Sequence, residues 1–282
     1  MPCKHRVIYQ PRGRAREFAP LALNIYNGCS HGCIYCYVPR ITRKPVPCFR
    51  QAKPRPEGFF KKLELDAAEL AAAGCEDIIL LSFSSDPYQL IDSQLHHSRK
   101  ALEILKEHGL RVCILSKGGY RALHDLDLLE PHKDEFILGK HHERGDQFAT
   151  TLTSLVEKLD PHVCFDPNVS PWPCQYLEPF AAPPEERIYA LKSAYHCGLW
   201  TWISLEPLIF PDQALKIIDL THEFVYEYKI GPLNYHSRKG FPLFSYHQLH
   251  ELLLEKEEQL GVAIHFKKDF LAEIEKESRE KN

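Results

Sequence analysis

The stretch Asn24-Ile25-Tyr26-Asn27-Gly28-Cys29-Ser30-His31-Gly32-Cys33-Ile34-Tyr35-Cys36-Tyr37 packs three cysteines into eight residues, with the spacing C-x3-C-x2-C. Counting ligands gives the first inference. A four-iron cubane takes one ligand per iron, so the thiolates of Cys29, Cys33 and Cys36 leave one iron open. A cluster that only carries electrons has all its irons ligated by cysteine. One with a vacant position can bind a small molecule and hand it an electron, so the vacancy points to chemistry. The metal ligands read from this stretch are therefore Cys29, Cys33 and Cys36, and the cofactor is a 4Fe-4S cluster.

Two other readings use the same residues. A structural zinc ion would need His31 or Cys48 to complete a tetrahedron, although zinc sites usually pair two short knuckles well apart in sequence and this chain has one. That reading makes the protein a zinc-holding, nucleic-acid-binding module without catalysis. An electron carrier would use Cys48 as a fourth cluster ligand. A disulfide framework fits poorly, since ten cysteines in 282 residues are sparse and nothing marks secretion.

A chain of this length can bury about three quarters of the surface its unfolded form exposes, which suits one sizeable domain. No apolar run approaches the ~20 residues of a membrane span, and Met1-Pro2-Cys3-Lys4-His5-Arg6 lacks the apolar stretch of a secretory signal. The expectation is a cytoplasmic protein with free thiols and no membrane partner. The net charge of -3 hides an asymmetry, because residues 1–62 hold thirteen Lys or Arg against only Glu17 and Glu57. These basic residues flank the cysteine loop. They suit phosphates, hence nucleic acid, or an acidic electron donor such as a flavodoxin or ferredoxin. A solvated arm with no specific partner is the plainer alternative.

Beyond the cysteines, short apolar runs alternate with stretches of helical period, the pattern of βα units around a parallel sheet. Strands are predicted over 21–26, 77–82, 111–116, 148–152, 199–205, 224–230 and 262–266. Helices are predicted near 57–73, 94–108, 120–129, 184–197, 212–221 and 245–260. The fold class is α/β, a partial (β/α)6 barrel. Its expected divisions are a basic N-terminal arm over 1–17, a barrel over 18–266 with insertions near 131–147 and 159–174, and a helical tail over 267–282. Reacting groups in such barrels sit where strands pass into loops. Ser84-Ser85-Asp86-Pro87-Tyr88, Lys117, Glu206-Pro207 and Lys229 all fall at those positions.

With an aromatic directly before its third cysteine, the motif resembles that of the radical S-adenosylmethionine (radical SAM) superfamily, whose fold is a partial TIM-like barrel. Cys-Ile-Tyr-Cys-Tyr followed by Ser-Ser-Asp-Pro-Tyr and Leu-Ser-Lys is similar to the spore photoproduct lyase branch, often labelled DNA repair photolyase-like, over roughly residues 18–240. The resemblance implies that a reduced 4Fe-4S cluster cleaves S-adenosylmethionine (SAM) to a 5'-deoxyadenosyl radical. It implies that Tyr35 lies beside SAM and that Ser85 and Lys117 contact its polar groups, with Lys117 pairing the methionine carboxylate. Tyr37 matches the tyrosine that follows the third cysteine in the lyases, a candidate catalytic hydrogen relay.

One departure bears on the substrate. The lyases carry a cysteine hydrogen donor two places before the residue matching Ser85, and this chain has Phe83, whose ring cannot donate that hydrogen. Cys48, Cys164 and Cys174 replace it only if the fold brings them near. In the first insertion His141-His142 lacks a third metal ligand at helical spacing. In the second, Asp166-Pro167-Asn168 and Trp172 could close over a substrate. Arg187 falls in the first turn of a helix, where the dipole disfavours a cation. An inward or ion-paired role is expected for it, against exposed pairing with Glu185 or Glu186.

Overall fold

A computed structural model describes residues 6–131, 133–137, 140–155, 174–235 and 243–280. Eight strands form one sheet whose spatial order is the order of the chain: β1 (Ile8–Tyr9), β2 (Leu21–Leu23), β3 (Ile79–Leu81), β4 (Val112–Leu115), β5 (Gln147–Thr151), β6 (Trp200–Leu208), β7 (Glu227–Pro232) and β8 (Ala263–Phe266). Strands β2 to β8 are parallel, and β1 runs antiparallel to β2 at one edge. This is the expected partial barrel, with Ala263–Phe266 adding a seventh parallel strand. Ile8 and Tyr9 join the sheet, and Asp66 holds them by accepting from Val7 N–H at 2.6 Å and Ile8 N–H at 3.0 Å.

The strand period of two sorts side chains onto two faces. Leu21, Leu23, Ile79, Leu81, Val112, Ile114 and Phe148 face the outer helices and pack on Leu63, Leu102, Leu105, Leu191 and Ile217. The intervening residues Ala22, Leu80, Cys113, Ala149 and Trp202 form a separate inner cluster with Phe18 and Phe83. Small inner residues at the bottom of the barrel leave room for the indoles of Trp200 and Trp202. Continuing the alternation upward puts Ser82, Leu115, Thr151, Ser204 and Glu206 on that inner face at the C-terminal ends.

The predicted strand over 21–26 stops at Leu23. Asn24 turns its amide to other segments, accepting from Ser84 N–H at 2.7 Å and donating to the Tyr9 hydroxyl at 2.7 Å, which replaces the ladder. Tyr26–Asn27 then pairs with Lys53–Pro54 in a small ribbon, so the cysteine loop is closed at its base. The segment near 120–129 is a run of 3-10 turns, Gly119–Leu128. Within 131–147, Lys133–Ile137 and Lys140–Arg144 make a separate antiparallel ribbon that carries His141 and His142. Asp166, Pro167, Asn168 and Trp172 lie outside the described residues. Helix 184–196 starts with Pro184 and two acids and ends before Gly198, in line with dipole and capping rules. Lys268–Glu280 is the expected terminal helix. Among the described residues no helix is long and apolar enough to cross a membrane.

The sheet edges are bridged from inside. Phe18 packs on Trp202 with ring centroids 6.0 Å apart, Lys267 Nζ sits 3.2 Å from the Phe18 ring centroid, and Lys268 N–H donates to Glu17 at 3.2 Å. Asp146, fully buried ahead of β5, accepts from Lys106 at 2.8 Å and from the backbone N–H groups of Val112 and Glu130 at 2.8 Å each. Removing this buried carboxylate leaves the two backbone N–H groups without that acceptor and takes from Lys106 its shortest contact. Asp146→Ala is expected to lower unfolding free energy by roughly 3 kcal/mol in urea melts. A loss under about 0.5 kcal/mol would contradict this role.

Candidate active site

The cysteine loop is clamped from three directions. Gly28 adopts φ +83°, and a Cβ there would lie 2.4 Å from the carbonyl oxygen of Phe49. That contact exists because Cys29 N–H donates to Phe49 O at 2.9 Å. The Gln89 side chain accepts from Ser30 N–H at 2.8 Å and donates to Gly28 O at 3.2 Å. On the third side, Ile34 N–H donates to Leu177 O at 2.9 Å and Phe180 N–H to His31 O at 3.1 Å. Hydrogen bonds to its backbone thus hold the loop from segments 20 to 149 residues away in the chain.

Above the barrel mouth lies a cavity of about 630 Å³ lined by Cys29, Cys33, Cys36, Tyr35, Tyr37, Ser85 and Lys117. All seven residues singled out from the sequence meet there, from three loops. The Ser85 hydroxyl oxygen is buried without a hydrogen-bond partner, the state of a group awaiting a ligand. His31 also lines the cavity, with Nε2 likewise unpartnered and Nδ1 3.5 Å from Asp86. Burial pushes the His31 imidazole down to about 4, so it is neutral at physiological pH.

Asp86 ties the second loop to the third. Its carboxylate accepts from Tyr88 N–H at 2.8 Å, Ser116 Oγ at 2.8 Å and Lys117 N–H at 2.7 Å. The Lys117 ammonium then donates to the Tyr35 hydroxyl at 2.6 Å, pairs with Glu178 at 2.9 Å and reaches Cys33 Sγ at 3.6 Å. Glu178 also accepts from the Tyr35 hydroxyl and pairs with Arg187, which is fully buried and donates to Ala182 O at 2.6 Å and Thr151 O at 2.9 Å. The expectation of an inward, ion-paired Arg187 holds, with Glu178 in place of Glu185 or Glu186.

Tyr37 is half-buried, its ring stacked on Tyr235 at 5.8 Å. Burial raises its phenol well above the ordinary range, and Glu206 adds to this. Phe83 packs edge-on to Phe18 at 5.7 Å on the cavity wall. Cys48 is exposed and outside the lining, and Cys164 lies outside the described residues; Cys174 opens the short helix Cys174–Leu177. Phe18 and Lys267 were not among the residues expected here. Lys267 pairs with Glu206 on the cavity wall, and Gly231 makes room, since a Cβ there would be 2.9 Å from the Glu206 carboxyl carbon. Lys267 directly follows a strand, so the strand-end rule applied to β8 would have found it.

The donor set fits an iron-sulfur cluster better than a single ion. Among the described residues no three His, Cys, Asp or Glu side chains are gathered as ligands of one metal ion. Zinc needs its ligands converged at ~2.3 Å, whereas a cluster takes one thiolate per iron from sulfurs spread along a wall. The cysteines are reduced and buried among one another's fields. Burial pushes Cys33 up to about 12, offset in part by Lys117, and raises Cys29 and Cys36 as well.

The fold is that of spore photoproduct lyase. The lyase with AdoMet and a dinucleoside spore photoproduct bound matches with a TM-score of 0.62 and 12% identity, covering 92% of this chain and 78% of the lyase. SuiB from Streptococcus suis, bound to S-adenosylmethionine, matches at TM-score 0.54 and 11% identity, over 87% of this chain and 49% of SuiB. Both are radical SAM enzymes, and the chain shares their mostly parallel open barrel. Uncharacterized protein ORF301 of Acidianus two-tailed virus is 27% identical over 199 residues, 68% of this chain and 57% of that protein, so the match spans less than two thirds of the relative. No family model matches the chain.

Two outcomes follow from this geometry. Because the three thiols lie above their ordinary range, any metal they take up would have to expel their protons. Iron incorporation at fixed iron and sulfide is expected to rise from pH 7 to pH 9, and loading of a weakly buffered sample to release acid; incorporation independent of pH would contradict it. Gly28→Ala forces a Cβ onto a backbone carbonyl at positive φ. It should lower iron content severalfold and cost at least about 2 kcal/mol in stability, read by iron assay and thermal melting.

Proposed function

We propose that this protein is a radical SAM enzyme in which Cys29, Cys33 and Cys36 hold a 4Fe-4S cluster and SAM binds beside it. The observation that carries the reading is the meeting of three cysteines, Tyr35, Tyr37, Ser85 and Lys117 in one cavity at the C-terminal ends of a spore photoproduct lyase-like barrel. A cluster bound by three thiolates supplies the electron that splits SAM into methionine and a 5'-deoxyadenosyl radical.

The chain's own residues bind and shield. Ser85 offers an unpartnered buried hydroxyl to a polar group of SAM. The Tyr35 ring forms part of the wall, and Phe18, Phe83 and Tyr235 keep water from the reacting atoms. Tyr37, lining the cavity with its phenol proton firmly held, serves as the hydrogen relay.

The substrate class is nucleic acid. Arg12 and Tyr235 line the cavity, and the Arg40 guanidinium lies 5.7 Å from the Tyr235 ring centroid. Arg43, Lys44, Arg50 and Lys53 are exposed in the stretch of chain that follows the cysteines, a basic surface suited to phosphates. The same face suits an acidic flavodoxin or ferredoxin as electron donor. Phe83, packed on Phe18, has no hydrogen to give, so the reaction on that substrate departs from the lyases' cysteine-donor route. Free thiols suit the cytoplasm.

The deciding experiment is anaerobic reconstitution with iron and sulfide, reduction with dithionite and addition of SAM, followed by chromatography. We expect brown protein absorbing broadly near 400 nm and production of 5'-deoxyadenosine that vanishes in Cys33→Ala. Colourless protein that binds zinc would overturn the reading. Ser85→Ala is expected to raise the Kd for SAM by about tenfold while leaving iron content unchanged; an unchanged Kd would remove Ser85 from the site.

A further inference from the structure

One wall of the cavity is built from the end of β6 and from the residue that follows β8. The Glu206 carboxylate is held at Oε2 by the Lys267 ammonium, and both side chains line the cavity. Lys267 is itself fixed, since its backbone N–H donates to Ile230 O at 3.0 Å and its Nζ lies on the Phe18 ring. A Cβ on Gly231 would lie 2.9 Å from the Glu206 carboxyl carbon and 3.0 Å from Lys267 Cδ, so bare backbone sets the place of both stems. The lysine side chain is 3% exposed and that of Glu206 18%, which makes the carboxylate the member of the pair that a ligand meets. An ionised carboxylate only accepts, so Oε1 calls for an N–H or O–H donor.

Beside it stands an aromatic platform. Tyr235 holds φ +63°, a left-handed backbone that a tyrosine rarely adopts, and Arg40 donates to its carbonyl at 2.9 Å. Its ring lines the cavity and stacks on Tyr37 at 5.8 Å. The field of Glu206 reaches the Tyr37 phenol, so carboxylate and aromatic pair are neighbours.

We infer that this wall is a base-binding subsite, in which a nucleobase stacks on Tyr235 and donates an N–H of its pairing edge to Glu206, with Lys267 the positioning residue that fixes the carboxylate. This deepens the nucleic-acid reading above and rests on it. A flat ring with an N–H in its plane matches a stacking surface next to one directed acceptor. An anionic group would be repelled by Glu206, so the phosphates of the strand fall to Arg12 and Arg40. Each natural base carries an N–H on its pairing edge, so the subsite recognises an unpaired base rather than a sequence.

The test uses the full chain, reconstituted anaerobically and saturated with SAM without reductant. Three labelled single strands of equal length are titrated by fluorescence anisotropy: oligothymidylate, its N3-methylated counterpart, which keeps the carbonyls and lacks the N–H, and an abasic strand. Wild type is expected to bind oligothymidylate about tenfold more tightly than the methylated strand. Glu206→Gln should narrow that preference to about twofold and leave the Kd of the abasic strand unchanged. Lys267→Met should narrow it in the same direction and Lys267→Arg restore it; a loss of structure would instead weaken all three strands together. Tyr235→Leu should weaken both base-bearing strands severalfold and spare the abasic one.

Equal binding of the three strands by wild type overturns the subsite and leaves the nucleic-acid reading on backbone contacts alone, whereas binding of none overturns that reading too. A preference that survives Glu206→Gln overturns the inference. So does a rise of more than about threefold in the Kd for SAM in that variant, which would give the carboxylate to the cosubstrate. If Glu206→Gln does not fold, Glu206→Asp, which draws the carboxylate back from the base, gives the same contrast.

Discussion

The buried carboxylate of Glu178 is the constraint on which the site depends. It joins Tyr35 of the cysteine loop, Lys117 of the third loop and Arg187 of an outer helix, and Arg187 carries the connection on to Thr151 at the end of β5. A charge this deeply buried is tolerated only when paired and hydrogen-bonded, so every partner must arrive in register. Burial raises the Glu178 carboxyl, and Arg187 beside it opposes that rise. An arginine in the first turn of a helix works against the helix dipole; the ion pair is the compensation.

The barrel supplies the frame on which these charges converge. Its inner face is narrow at the bottom, where Ala22, Ala149 and Cys113 admit Trp202, and becomes polar toward the C-terminal ends, where Ser82, Ser204 and Glu206 line the cavity. The alternation that packs Leu81, Ile114 and Phe148 against the helices delivers these polar residues to the inside. Asp86 performs the equivalent service between loops, and its acceptance from Lys117 N–H aims the lysine at the cysteine loop. The open side is occupied by Phe18 and Lys267, so residues from both ends of the chain complete one wall.

These parts divide the cavity by chemistry. Thiols, Ser85 and the Lys117 network line one part of it, the part that the proposed reading gives to a metal cluster and its ligand. Tyr37, Tyr235, Arg12 and the Glu206–Lys267 pair provide polar and aromatic surface of a different kind, suited to a second molecule. Burial lowers Lys267 below the ordinary lysine range while Glu206 opposes the shift, and Lys229 nearby adds to the lowering. Phe83 makes this wall apolar at the position where the lyases carry a thiol, so the resemblance in fold does not extend to that donor.

Local features were legible in the chain. C-x3-C-x2-C set the ligand count because neighbouring cysteines on one short loop must face one space, and period-two and period-3.6 patterns gave the order of strands and helices because each element must bury one face. Strand-end rules then brought Ser85, Lys117 and Glu206 to one rim. The partners were not legible: Lys117 lies 61 residues from Glu178, Tyr35 lies 143 from it, and Lys267 lies 249 from Phe18. No periodicity records such pairings, because they depend on how strand register and loop path bring distant charges together and on the burial that makes each charge need its particular partner. The chain thus carried the chemistry of its thiols in local spacing, while tertiary packing decided that Lys117 faces Cys33 and Glu178, since only in the folded barrel is the Glu178 carboxylate buried and in need of a paired charge.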